Sequence, residues 1–210
     1  MATLNQVSLT IPDNSLPGRT LSATAEIAKT QLAQQTLQPE PIPFALCRVW
    51  DAMQTNTPGT PATDDLGLVT GTPGTDAPML SDGDLKAAGA TTRKVAFEMS
   101  VPYDYDDGET FEVRFTAGME TSVADVSATI DLQVFKPDGT GAVGSDLCTT
   151  AAQSINSLTP NDYDFTIDGS GIDPGDKLIC IVSVAVNDAA TATAVTAAIY
   201  GMTRRCDTRG

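Results

Sequence analysis

From residue 93 onward, apolar and polar side chains alternate in short runs separated by turn residues. Val95, Phe97, Met99 and Val101 alternate with Ala96, Glu98 and Ser100, and Phe111, Val113 and Phe115 alternate with Glu112, Arg114 and Thr116. A period of two with one apolar face predicts half-buried β-strands. The two runs flank PYDYDDGET (102–110) and read as an antiparallel hairpin. Pairing Phe97 with Phe115, Met99 with Val113 and Val101 with Phe111 also sets Glu98 opposite Arg114, so apolar rows and a charge pair fall into register together. Val126, Ala128, Ile130, Leu132 and Val134 form another apolar face, ended by the turn Lys136-Pro137-Asp138-Gly139. Tyr163, Phe165 and Ile167 make a short strand. The corner 171–176 leads into Leu178, Cys180, Val182, Val184 and Val186, which share a face. A last strand is expected over 192–203, with Val195, Ala197 and Ile199 on one side. Strands punctuated this regularly predict an all-β fold, a β-sandwich or jelly-roll-like antiparallel domain spanning 93–210.

The preceding residues read differently. LNQVSLTI (4–11) alternates weakly and stops at Pro12. A short helix is expected at about 22–36, N-capped by Ser22, with a thin stripe of Leu21, Ala25, Ala28 and Leu32. A stripe that small cannot hold an isolated helix, so it must dock on something. QPEPIP (38–43) forces an extended path. These features define an extended N-terminal arm, 1–43. FALCRVW (44–50) reads as a buried strand, and 54–92 as a long turn-rich connection with one short strand at Leu66–Thr70. A connection of that length is unusual unless it binds something. Residues 1–92 are therefore expected to form mostly an extended, surface-hugging segment, while 93–210 folds by itself.

Charge sharpens this division. The 210 residues hold 27 acids and 12 bases, a net charge of −15. Residues 1–50 carry three of each, so the whole excess falls on 51–210. A neutral arm on an acidic body implies that the arm lies against a partner and the body faces water. The acidic balance excludes a nucleic-acid partner, because phosphate neutralisation needs clustered Lys and Arg. The one basic cluster, Arg204, Arg205 and Arg209, reads as a solvated tail or a partner for neighbouring acids. No basic n-region with an apolar run marks a signal peptide, and no apolar run is long enough to span a membrane. Synthesis in a cytoplasm and a soluble chain are expected.

Chemistry is sparse. Histidine is absent, which removes His-based acid/base catalysis, Ser-His-Asp and Cys-His systems and His-ligated metals. Cys47, Cys148, Cys180 and Cys206 are widely spaced. They allow two disulfides in three pairings, but read more simply as buried thiols in a reduced compartment. The metal candidate is a calcium loop of Asp104, Asp106, Asp107 and Glu109 around Gly108; the plainer alternative is a set of solvated turn acids. Asp162, Asp164 and Asp168 form a second acidic group. With 27 acids some carboxylate pair will meet glycosidase spacing by chance. No phosphate loop, GxSxG or HExxH occurs. No enzyme and no cofactor is expected. The small-residue stretch 187–198 reads either as a flat packing surface between subunits or as a plain hairpin.

Several runs carry a family likeness: DAMQTNTPGTPATDDLGLVTGTPGTDAP (51–78), TTRKVAFEMSVPYDYDDGETFEVRF (91–115), TSVADVSATIDLQVFK (121–136), GSDLCTTAAQSINSL (144–158) and VAVNDAATATAV (184–195). Over roughly 44–210 the chain resembles an uncharacterised group of virion structural proteins from tailed bacteriophages and environmental viral genomes. The resemblance implies a structural role in a particle and brings no catalytic residues. Joined to the split charge, it predicts a capsid decoration or cement protein on the head exterior. Its partner would be the major capsid protein or another virion protein, and local threefold positions make a trimer the first expectation. Leu21, Ile27, Leu32, Ile42 and Phe44 are the expected contact residues. A tail, neck or fibre component is the alternative within the particle, and a glycan-binding sandwich the alternative outside that class.

Overall fold

The computed structural model describes residues 37–72, 74–85, 89–189 and 193–208. The weakly alternating stretch 4–11, the expected helix at 22–36 and the contact residues Leu21, Ile27 and Leu32 lie outside the described residues. The described chain is an antiparallel β-sandwich. Its strands are β1 (Gln38–Pro41), β2 (Arg48–Val49), β3 (Ala52–Asn56), β4 (Gly67–Val69), β5 (Met79–Ser81), β6 (Gly89–Ser100), β7 (Phe111–Met119), β8 (Ser127–Phe135), β9 (Gln153–Ser154), β10 (Asn161–Ile167), β11 (Lys177–Asp188) and β12 (Ala197–Cys206). One sheet runs β10-β7-β12-β5-β4, with β1 also paired to β12; the other runs β3-β2-β6-β11-β8-β9.

The core lies between the sheets and is filled by the faces that alternate in the sequence. Leu178, Cys180, Val182, Val184 and Val186 of β11 and Ala128, Ile130, Leu132 and Val134 of β8 are all buried. Val126, expected to continue the β8 face, stands before the strand and is 61% exposed. Phe115 and Phe165 meet edge to face at 5.6 Å, a favoured aromatic geometry.

The expected hairpin of 93–101 with 111–115 does not form. β6 pairs with β11, placing Phe97 opposite Cys180 and Glu98 opposite Ile179. β7 pairs with β10 and β12, placing Arg114 opposite Asp164 and Thr203. Residues 102–110 carry the chain from one sheet to the other. The apolar rows still share one core, but across the sandwich instead of along a ladder. Alternation fixes which face is buried and leaves the strand partner open.

The first described segments are part of the sandwich, so 43/44 and 92/93 mark no break in the sheets. β1 lies on β12, from Gln38 opposite Cys206 to Pro41 opposite Thr203. The Ile42 amide continues toward β12 by donating to Met202 O at 2.9 Å. Gln38 and Glu40 share that parity, which leaves Pro39 and Pro41 where an amide would point outward. Proline is tolerated at such an edge position because no ladder bond is lost. Leu66 and Leu80 are buried in the core, so 44–92 is not only surface-hugging. FALCRVW is not one strand: Phe44–Leu46 is a 3-10 turn and only Arg48–Val49 is extended. The last strand begins at Ala197 and changes phase at a bulge between Ile199 and Gly201. Ala197 and Ile199 are buried before it, Met202 and Cys206 after it. In the stretch 187–198, Val195, Ala197 and Ala198 are buried within the chain's own core and are not available to another subunit.

Candidate functional site

The chain crosses from one sheet to the other over residues 38–49, along one side of the sandwich. β1 is tied to β12, and the Cys47 amide closes the 3-10 turn onto Phe44 O at 3.0 Å. Arg48 of β2 then pairs with Ala96 of β6. Arg204 fastens this crossover. It shares the inward parity of Met202 and Cys206, and its side chain is only 12% exposed. Its guanidinium donates to Ser100 O at the end of β6 and to the Glu40 carboxylate on β1. One side chain therefore joins β12, β6 and β1. Burial pushes its pKa below the usual arginine value.

Beside this strut is a cleft of about 250 Å³ lined by Glu40, Pro41, Ile42, Pro43, Leu46, Glu98, Met99, Ser100 and Arg204. A second cleft of about 350 Å³ shares Leu46 and Glu98 and adds Arg48, Met53 and Gln54. Leu46 is 46% exposed, one of few large apolar side chains open to water. The expected contact residues here divide. Ile42 is buried in the chain's own core but reaches the cleft wall, and Phe44 is partly buried against that core. Leu46, Glu98 and Met53 line the open groove and were not singled out by periodicity. Leu46 belongs to a run that reads as a continuous strand, and only the 3-10 turn brings it out.

The candidate calcium ligands of the acidic loop are not gathered into a group of three among the described residues. Tyr105 is fully buried, donates to Glu109 O at 2.6 Å and meets Phe111 edge to face at 5.5 Å. Burial raises its phenol to about 12. The loop wraps around this ring, leaving Asp104, Asp107 and Glu109 exposed and Asp106 buried. Among the described residues no three His, Cys, Asp or Glu side chains converge to hold a metal. The second acidic group separates. Arg114 Nε and Nη2 donate to the two oxygens of Asp164, each at 2.6 Å, and Nη1 donates to Asp162 at 3.1 Å. Arg114 holds the Asp164 carboxyl below the usual range. Asp168 instead caps the 3-10 turn Gly169–Gly171 through the Ser170 amide. Arg205 bridges Glu112 at 2.5 Å and Asp164 at 3.5 Å. Arg114 and Arg205 pair with these carboxylates across β10, β7 and β12. Arg204 and Arg205 thus serve as partners for neighbouring acids.

The four thiols are free. Burial raises Cys47 to about 12 and Cys148 to about 11, far from the range of a reactive thiolate. Tyr103, 89% exposed, is the one strongly exposed aromatic ring among the described residues. Trp50 is occupied: Lys94 Nζ lies 4.5 Å from its ring centre and its Nε1 donates to Asp64 at 3.4 Å.

No protein-family model matches the chain, and no curated protein matches it. Among solved structures it is similar to the CBM22-1 xylan-binding domain from Paenibacillus barcinonensis Xyn10C, at 12% identity, 84% of this chain, 98% of that one and a TM-score of 0.42. It is also similar to the xylan-binding module CBM15, at 10% identity, 83% and 99% coverage and a TM-score of 0.43. A structure of infectious bursal disease virus, Gt strain, matches at 13% identity, 70% and 38% coverage and a TM-score of 0.36. Likeness at this level concerns sandwich architecture and assigns no ligand or partner to this chain.

Proposed function

We propose that this chain is a virion structural protein that decorates the exterior of a tailed-phage head. The acidic sandwich stands outward, and the segment ahead of Leu37 and the crossover that follows it in sequence hold the shell. One observation carries this reading. Residues 37–210 hold 25 acids and ten bases, whereas residues 1–36 are electroneutral, with two acids and two bases. A neutral segment joined to a strongly acidic body is suited to lie against a partner while the body faces water. Extended segments gain from many simultaneous contacts on a repetitive surface. The likeness to tailed-phage virion proteins supports the same role.

The test is removal of residues 1–36. The truncated chain is expected to keep its melting temperature and lose binding to particles. Full occupancy by the truncated chain would overturn the proposal. Counting copies per particle separates a head coat from a tail or neck component, which would be present in small, fixed number.

A further inference from the structure

The groove at the crossover has an apolar floor and, in its wall, an acid that has no ion-pair partner among the described residues. Pro41, Pro43, Leu46 and Met99 line the first cleft, and Glu98 stands in the wall it shares with the second. Glu40, in the same cleft, is already paired with Arg204. Glu98 is exposed and has no ion-pair partner among the described residues. On β6 it lies between buried Phe97 and Met99, so the strand fixes its direction. A long apolar stem ending in a positive charge matches both features, because lysine and arginine lay their methylenes on apolar surface and keep the charged head at a polar rim. Arg48 shares the outer cleft with Glu98, and in the inner cleft the Arg204 charge is taken up by Glu40.

We infer that this groove is a docking site for a lysine or arginine side chain presented by a partner polypeptide. The stem lies on Leu46, Pro43 and Met99, and the cationic head pairs with Glu98. This rests on the crossover being the contact face proposed above and names the chemistry the partner must show there.

The test needs no particles, so its failure is distinct from failure of the decoration role, which the truncation reads. The full-length chain, labelled with 15N, is titrated with a short capped lysine peptide, the same peptide with acetylated lysine, and a glutamate counterpart. The lysine peptide is expected to shift amides of residues 40–48 and 98–100. Acetylated and glutamate peptides should bind about tenfold more weakly or not at all. Glu98→Gln should weaken the lysine peptide by about the same factor. Leu46→Ser should weaken both the lysine and acetylated forms by removing the floor. Shifts centred on the acidic loops 102–110 and 168–176, undiminished by Glu98→Gln, would mean general attraction to an acidic protein and would overturn the site. Absence of any shift at millimolar peptide would overturn it equally.

Discussion

Asp82 shows how one side chain can set the acid response of a fold. It follows β5 and clasps β12 twice, accepting the Ala197 amide on Oδ1 at 2.8 Å and donating its own amide to Ala197 O at 3.2 Å. It is 1% exposed, and Oδ2 has no hydrogen-bond partner. Burial raises its pKa from 3.8 to about 7; Arg93 opposes this rise and Glu120 adds to it. The folded state therefore holds a proton that the unfolded chain has released between those values. Stability from this group is greatest below about pH 4 and falls as pH rises toward 7, by a linkage on the order of 4 kcal/mol. Asp82→Asn keeps an oxygen for the Ala197 amide and removes the charge. The urea midpoint of the variant should rise relative to wild type as pH goes from 4 to 7. A constant difference across that window would show that Asp82 is not the group responsible. Asp164 has the opposite sign, because Arg114 favours its charged form. Its contribution is present at neutral pH and is lost as pH falls.

At the scale of elements, the sandwich covers or blunts its edges. Residues 146–155 close the side between β8 and β10: Leu147 donates to Val134 O at 2.8 Å, Ile155 to Ala128 O at 2.9 Å and Thr149 to Thr166 O at 2.9 Å. Asp146 Oδ1 accepts the Val134 amide at 2.8 Å and the Cys148 amide at 2.9 Å. On the other side the Leu68 amide of β4 donates to Pro58 O at 2.8 Å. β3 is bulged against β2, whose register jumps between Arg48 and Val49. Such devices keep sheets from adding strands edge to edge. Asp146→Ala should cost about 1–2 kcal/mol in urea unfolding and speed hydrogen exchange at the Val134 amide. Unchanged exchange there would mean that the β8 edge is held without this carboxylate.

Much of this level was legible from residues. The faces of β8, β10 and β11 follow from alternation, because each strand has one side in the core. The partner of β6 was not legible. A hairpin with β7 and a crossing between sheets bury the same side chains, and the Glu98–Arg114 pairing looked like independent support only because both residues face outward. The bulge in β12 had a readable sign. Ala197 and Ile199 hold one parity and Met202 and Cys206 the other, which a continuous strand cannot satisfy. The alternate prolines 39 and 41 also fit an edge strand better than a free polyproline path. The groove left little trace, since a 3-10 turn of three residues has no period to detect.

For the whole molecule, the structure moves the boundary between body and arm. The sequence places it at 43, but Ile42 is 8% exposed in the core and β1 belongs to a sheet. Removing 1–43 takes away β1, the Glu40 partner of Arg204 and the Ile42 side chain. That truncation should lower the melting temperature sharply, whereas removal of 1–36 leaves it unchanged. Thermal unfolding of the two truncations side by side checks the boundary; equal melting temperatures would return it to 43. Burial of an isoleucine alone contributes roughly 1.5–3 kcal/mol, so the loss will be visible on a marginally stable domain.

The crossover also has a mechanical meaning. The polypeptide reaches the first sheet through β1, laid antiparallel along the end of β12, and then reaches the second through β2 on β6. Tension applied along the strand axis from the leading end would slide β1 against its neighbour, so that its bonds resist together instead of opening one after another. The same pull passes through the Arg204 guanidinium to Ser100. A tether joined there hands its load to both layers at once.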